Sequence, residues 1–261
     1  MTPERPLADR VAVVTGVSRR NGIGFAIAKR LSAAGASVFV HSWVHGDELS
    51  NAAELESTLR ELGQENRRIG HLEADFADAD SPARVIALAR ETFSHLDILV
   101  VNHTRSQHRS LSELTAEEID AHLHVNVRAS LLLVKEFADQ HDGRLGGRIV
   151  LFTLGQHLAP VRREVPYAVS KGAIHQATMT LSEELIDRGI TVNTVNPGPT
   201  DTGWAIKDVD PSPAMPLGRW GQPDDAARLV AWLCTDDAAW ITGQVIDSEG
   251  GFRRWALGQR T

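Results

Sequence analysis

The chain has 261 residues, of which 42% are hydrophobic and 23% charged, with a formal charge of −7 and a pI near 5.9. That length suits one large α/β domain, and the acidic balance argues against nucleic acid or an anionic membrane surface as a main partner. The one cysteine, Cys234, reads as a small buried hydrophobe, no apolar run approaches the roughly 18 residues of a membrane span, and residues 1–10 hold no apolar leader core, so the cytoplasm is the expected location.

Val11-Ala-Val-Val-Thr15 is an apolar, β-branched run followed at once by glycine, which predicts a buried strand. Helical spacing over 25–34, stopped by Gly35, predicts the first helix. A second strand is expected over 37–40, a polar-faced helix over 47–62 closed by Gly63, and a third strand over 69–75. Ser81-Pro82 opens the next helix, with proline in its first turn. A fourth strand follows over 96–101, then a long helix over 115–139 begun by the capping pattern Thr-Ala-Glu-Glu. Residues 147–152 predict a fifth strand, 165–188 a long helix ended by Gly189, 190–195 a sixth strand, 223–234 a helix and 243–247 a last strand. Strict alternation of strand and helix implies one domain over residues 1–261, a doubly wound parallel sheet with helices on both faces. The proline-rich stretch 210–216 reads as a loop inside it.

Chemistry concentrates at two places. The first is Thr15-Gly16-Val-Ser18-Arg19-Arg20-Asn-Gly22-Ile23-Gly24, between the first strand and the first helix. A glycine turn there lets backbone amides and a helix N-terminus hold a pyrophosphate. The second strand ends in His41-Ser42-Trp43, with no carboxylate to grip a free ribose 2′-hydroxyl. Asp47 and Glu48 read instead as the first turn of the next helix, where acids favour the dipole. Arg19 and Arg20 are placed to meet a 2′-phosphate, so NADP is expected in preference to NAD; their bland reading is a solvated pair on a loop. The second place is Tyr167-Ala-Val-Ser-Lys171, whose spacing puts phenol and ammonium on one helical face. A nearby cation favours phenolate and lowers a tyrosine pKa from about 10 toward the range of a general acid.

With the run Val195-Asn-Pro197-Gly198-Pro-Thr200-Asp-Thr202, these motifs resemble the classical short-chain dehydrogenase/reductase family over residues 9–252. The look is nearest to the bacterial 3-oxoacyl-acyl carrier protein reductases. The resemblance implies Tyr167 as proton donor to a substrate carbonyl, with Lys171 on the nicotinamide ribose and depressing the tyrosine pKa. It makes Asn126 the holder of a proton-relay water, although an asparagine there also reads as a partner for buried backbone groups. It sets Asp75 and Phe76 beside the adenine and Asn102 beside the adenosine ribose. It places Gly16, Ser18, Gly22 and Ile23 at the pyrophosphate, and Pro197, Gly198, Thr200 and Thr202 at the nicotinamide and its carboxamide. Association into a homodimer or homotetramer through the two long helices is implied as well.

Three departures stand out. The glycine turn is two residues longer than the family's spacing, and the family's Asn-Asn-Ala-Gly reads Val101-Asn102-His103-Thr104, where side chains are expected to crowd the adenosine ribose. Most consequential, the family's serine, thirteen residues before the tyrosine, is Leu154. Thr153 is adjacent but faces the other way unless the strand bulges. Losing a hydroxyl that steadies an oxyanion is commonly worth about 3 kcal/mol. Gln156 and His157 are candidate substitutes, and Leu154 and Trp204 candidate walls of an apolar substrate pocket beside a short lid over 205–217. The expectation is an NADP(H)-dependent oxidoreductase acting on a ketone or a 3-oxoacyl thioester, with impaired handling of the oxyanion. The competing expectation is a catalytically weak or inactive NADP(H)-binding protein that serves as assembly partner or sensor.

Overall fold

The computed structural model describes residues 5–44, 52–63, 68–203 and 210–257. Seven strands, β1 Val11–Val14, β2 Ser37–Ser42, β3 Ile69–Glu73, β4 Ile98–Val101, β5 Gly147–Phe152, β6 Ile190–Asn196 and β7 Val245–Asp247, form one sheet ordered β3-β2-β1-β4-β5-β6-β7. All pairings are parallel. The helices are α1 Ile23–Ala33, α2 Ala52–Gly63, α3 Ser81–Phe93, α4 Ala116–His122, α5 Ala129–Gln140, α6 Val165–Ile186, α7 Pro223–Leu233 and α8 Arg254–Leu257.

A sheet covered on both faces needs central strands that are apolar on both sides, and β1, β4 and residues 149–152 of β5 are. Ala12, Val14, Val150 and Phe152 pack with Phe25, Ile27 and Leu31 of α1 and Val230 and Leu233 of α7. Their neighbours Val11, Val13, Ile149 and Leu151 pack on the opposite face with Val85 and Phe93 of α3, Leu133 and Phe137 of α5, and Ile174 of α6. Cys234 is buried and free, as expected. Among the described residues no helix is long and apolar enough to cross a membrane.

The expected doubly wound sheet is therefore observed, with one revealing difference. The helix expected over 115–139 begins as foreseen, the Thr115 side chain accepting from the Glu118 amide, but it is interrupted by a π-turn over Leu123–Arg128. One extra residue in that turn rotates the helix locally, and Asn126 lies within it, buried. Asp47, Glu48, Trp204 and the first part of the expected lid lie outside the described residues. The described remainder of that loop packs Ala214 and Met215 against Trp220 and Phe252.

Candidate active site

The chain leaves β1 for a helix on one face of the sheet and leaves β4 for helices on the other. Such a switch point opens a crevice at the carboxyl ends of the two strands. Gly16 sits there with φ of +74°, and a Cβ on it would come within 2.8 Å of the His103 Cα. Asn102 ties the two strand ends together, its Nδ2 donating to the carbonyls of Thr15 and Gly16 at 3.1 and 3.2 Å. At the N-cap of α1, Gly22 is extended, no side chain caps the helix and its first turn holds no acid. Its first amides, from Ile23 onward, thus meet the crevice as a helix terminus suited to a phosphate group.

The longer glycine loop is laced down. The Val17 amide donates to the His41 carbonyl at 2.9 Å, and Ser18 Oγ both donates to the Trp43 carbonyl and accepts from its amide, at 3.0 and 3.1 Å. Arg19 donates to the Thr202 carbonyl at 3.3 Å, joining the loop to the segment after β6. Arg20 differs: its guanidinium pairs with Glu61 of α2, outside the crevice. The end of β2 is uncharged. Burial lowers the His41 pKa to about 4, so neutral His41 accepts from the Gly16 amide on Nδ1 and donates from Nε2 to the Ala74 carbonyl. Ser42 Oγ meets His71 at 2.8 Å.

His103 does not crowd the crevice as expected. It is buried, bonded to Thr15 Oγ1 at 2.9 Å and to the Val125 carbonyl at 2.9 Å, and desolvation holds it neutral. Phe76 is likewise core: its ring stacks on His41 at 3.9 Å and tilts against His103 at 4.3 Å. Asp75 accepts from the Ala77 amide in the turn after β3.

On α6 the Tyr167–Lys171 pair forms, with one correction to its electrostatics. Lys171 Nζ donates to the Phe152 carbonyl at 3.1 Å and lies 5.9 Å from the centroid of the phenol ring. Burial, helped by the nearby Glu164 carboxylate, outweighs any help from that cation and pushes the Tyr167 phenol up to about 12. The same desolvation lowers Lys171 to about 8. At neutral pH the phenol holds its proton and the amine its charge. Asn126 is spent on structure: its Oδ1 accepts from the Arg105 amide at 2.7 Å and from Thr104 Oγ1 at 3.3 Å, and its Nδ2 donates to the Arg105 carbonyl and to Ser170 Oγ, both at 2.9 Å. The sidelong reading of Asn126 as a partner for buried backbone groups thus has direct geometry behind it.

The strand before Leu154 does not bulge. β5 keeps register with β6 through Phe152, the Thr153 amide continues the ladder to the Val195 carbonyl, and Thr153 Oγ1 is donated to the Lys171 carbonyl at 2.9 Å. Leu154 follows, half-buried and extended, at the start of a single 3₁₀ turn, Gly155–His157. Each candidate substitute commits a ring or amide nitrogen elsewhere. Gln156 donates its amide to the Ala168 carbonyl at 3.2 Å, and His157 pairs with the Asp247 carboxylate at 3.2 Å beside the His175 ring.

After β6, Pro197, Gly198, Thr200 and Thr202 form a turn in which Thr200 Oγ1 donates to the Gly198 carbonyl at 3.2 Å. Half-buried Glu249, ion-paired to Arg254 of α8, holds this turn through Asn196, whose Nδ2 donates to Glu249 and whose Oδ1 accepts from Gly198. Sequence reasoning missed this support, and also Thr15, whose Oγ1 accepts from the amides of Asn102 and His103. A hydroxyl directly before the first glycine of the turn was the available signal.

Residues 16–253 match the family model described as Enoyl-(Acyl carrier protein) reductase. The chain is 39% identical over 250 residues to the uncharacterized oxidoreductase YjdA of Bacillus subtilis, covering 94% of this chain and 98% of the relative. It is 33% identical over 259 residues to human dehydrogenase/reductase SDR family member 4, covering 96% and 90%. Among solved structures, a short chain dehydrogenase from Burkholderia cenocepacia in complex with NADP superposes with a TM-score of 0.84 at 35% identity, covering 94% of this chain and 98% of that one. With the sheet order, the glycine turn and the Tyr167–Lys171 pair already on α6, these matches mean that the chain belongs to the classical short-chain dehydrogenase/reductase family of oxidoreductases.

Proposed function

We propose that this protein reduces a carbonyl to a secondary alcohol using NADPH, with Tyr167 as the acid. The observation that carries the reading is a phenol held protonated beside a buried ammonium, at the same sheet edge as a glycine turn suited to a pyrophosphate. A bound reduced nicotinamide supplies the hydride. Tyr167 gives its proton to the oxygen as charge develops on it, and at neutral pH it is protonated and so stands ready as the acid. Lys171 supports the phenolate that results and orients the nicotinamide ribose; Asn126 fixes the turn of chain that faces Tyr167. Gly16, Ser18, Gly22 and Ile23 would hold the pyrophosphate, Asn102 and Asp75 the adenosine, and Pro197, Gly198, Thr200 and Thr202 the nicotinamide end. The preference for NADP over NAD rests on the uncharged end of β2, on Arg19 at the crevice and on the NADP-bound relative.

The substrate we assign is a small ketone or a 3-oxoacyl thioester, received against the apolar Leu154. Apolar side chains left exposed on the long helices, Leu131, Val169, Met179 and Ile186, support a homodimer or homotetramer, and the cytoplasm is the location we assign. A second reading, a weakly active or inactive NADP(H)-binding protein, is favoured by one fact: the Thr153 hydroxyl is committed to a backbone carbonyl and its neighbour is leucine. The test is NADPH oxidation with a short 3-oxoacyl thioester and a panel of ketones, alongside fluorescence titrations with NADPH and NADH. Turnover supports the first reading, tight NADPH binding without turnover the second, and no NADPH binding defeats both.

A further inference from the structure

Thr104 stands where the family carries glycine, and its side chain is exposed at the mouth of the crevice. Its hydroxyl interacts with the Tyr167 phenol on one side and lies 3.3 Å from Asn126 Oδ1 on the other. The polarity of this chain follows from the neighbours. The Arg105 amide can only donate, and it lies 2.7 Å from Asn126 Oδ1, so that atom is the carbonyl oxygen and only accepts. The one Thr104 proton therefore has two protein acceptors, Asn126 Oδ1 at 3.3 Å and the Arg105 carbonyl at 3.4 Å, and while it serves either of them its lone pairs are what face the phenol proton. The ring closes from below: Asn126 Nδ2 donates to Ser170 Oγ, which donates to the Tyr167 carbonyl at 2.8 Å.

We infer that the Thr104 hydroxyl is a positioning and relay residue for Tyr167, linking the phenol directly to solvent. The inference rests on the carbonyl-reduction reading. Before transfer, Thr104 accepts the phenol hydrogen bond and fixes the ring's rotation. Once Tyr167 has given its proton to the substrate oxygen, Thr104 turns its O–H from these carbonyl acceptors to the phenolate. The Arg105 amide still satisfies Asn126. The Thr104 proton passes to the phenolate as a proton from water replaces it, so the tyrosine is restored with no change in electrons and one water proton consumed. Exposure of Thr104 is what makes this path open to bulk water. The position matters because glycine cannot do any of this.

The test uses a feature of the composition: Tyr167 is the only tyrosine among 261 residues. Biosynthetic replacement of tyrosine by 3-fluorotyrosine therefore labels this one phenol, and fluorine NMR follows its ionisation without substrate or turnover. A donor lost from the phenolate should raise the titration midpoint of Thr104→Val by about half to one pH unit. Thr104→Ser should restore the wild-type midpoint, and Thr104→Gly, the family's residue, should rise like valine and serves if the valine variant fails to fold. Equal midpoints in wild type and the hydroxyl-free variants would overturn the inference, as would a serine variant that shifts as far as valine. Because no carbonyl is needed, failure here is distinguishable from failure of the reductase reading, which shows as absent turnover with a normal titration.

Discussion

Leu154→Ser should make this protein a faster reductase. The backbone at Leu154 is already extended, with φ of −124° and ψ of 153°, so serine enters without strain. The leucine is only half-buried, and its removal should cost about 1 kcal/mol of stability. Against that, a hydroxyl reaching the developing oxyanion is worth up to about 3 kcal/mol in the barrier, a hundredfold in kcat. Imperfect support from the neighbouring turn should reduce the gain to roughly ten- to a hundredfold. The assay is NADPH oxidation at saturating cofactor with the best carbonyl of the panel. Thr153→Val is the control. Its hydroxyl is committed to the Lys171 carbonyl, so its loss should cost about 1 kcal/mol of stability and leave kcat within about threefold. If folded Leu154→Ser turned over no faster than wild type while Thr153→Val lost a hundredfold, Thr153 would be the working hydroxyl and the reasoning would be refuted.

Burial lowers Lys171 from 10.5 to about 8, so the folded state binds fewer protons than the unfolded state between those values. Its charged form is a cost below pH 8 that fades toward pH 10.5; Lys171→Met should gain up to about 3 kcal/mol at pH 7 in denaturant melts while losing activity, and the gain should shrink above pH 8. Buried His41 has its pKa lowered from 6.5 to about 4, so the unfolded chain binds more protons in that window. Stability should fall as pH drops below 6.5, by up to about 3 kcal/mol from this residue at pH 4, and the acid slope of the thermal midpoint should flatten in His41→Gln. Asn126→Ala leaves the Arg105 amide and carbonyl without their partner and should destabilise by about 2–4 kcal/mol in urea titrations. Asn126→Asp, which keeps the acceptor but not the donors, should fall between it and wild type.

How legible these features were depended on whether their cause was local. β5 was read to the residue because residues 149–152 are apolar on both faces and the strand ends where the chain turns. The glycine turn and the Tyr167–Lys171 spacing were legible because each is set by one helix and its neighbouring strand. The π-turn at Asn126 was not, since one extra residue leaves the apolar periodicity of residues 115–139 nearly intact. Nor could sequence spacing foresee that His103 would turn inward. Its partners, Thr15 and Val125, lie on β1's end and in the π-turn, and Phe76 fills the space between its ring and His41. The Tyr167 acidity failed for a related reason: helical spacing gives the proximity of Lys171 but not the desolvation that burial imposes on both groups.

Tyr167→Phe, compared with wild type for NADPH affinity and for single-turnover reduction of the best carbonyl in the panel, tests the central claim most directly. The phenol's oxygen is all that changes, so NADPH should bind within about threefold of wild type while reduction falls by a hundredfold or more. Equal reduction rates in the two proteins would show that some other group delivers the proton, and the assignment of Tyr167 as the acid would be wrong.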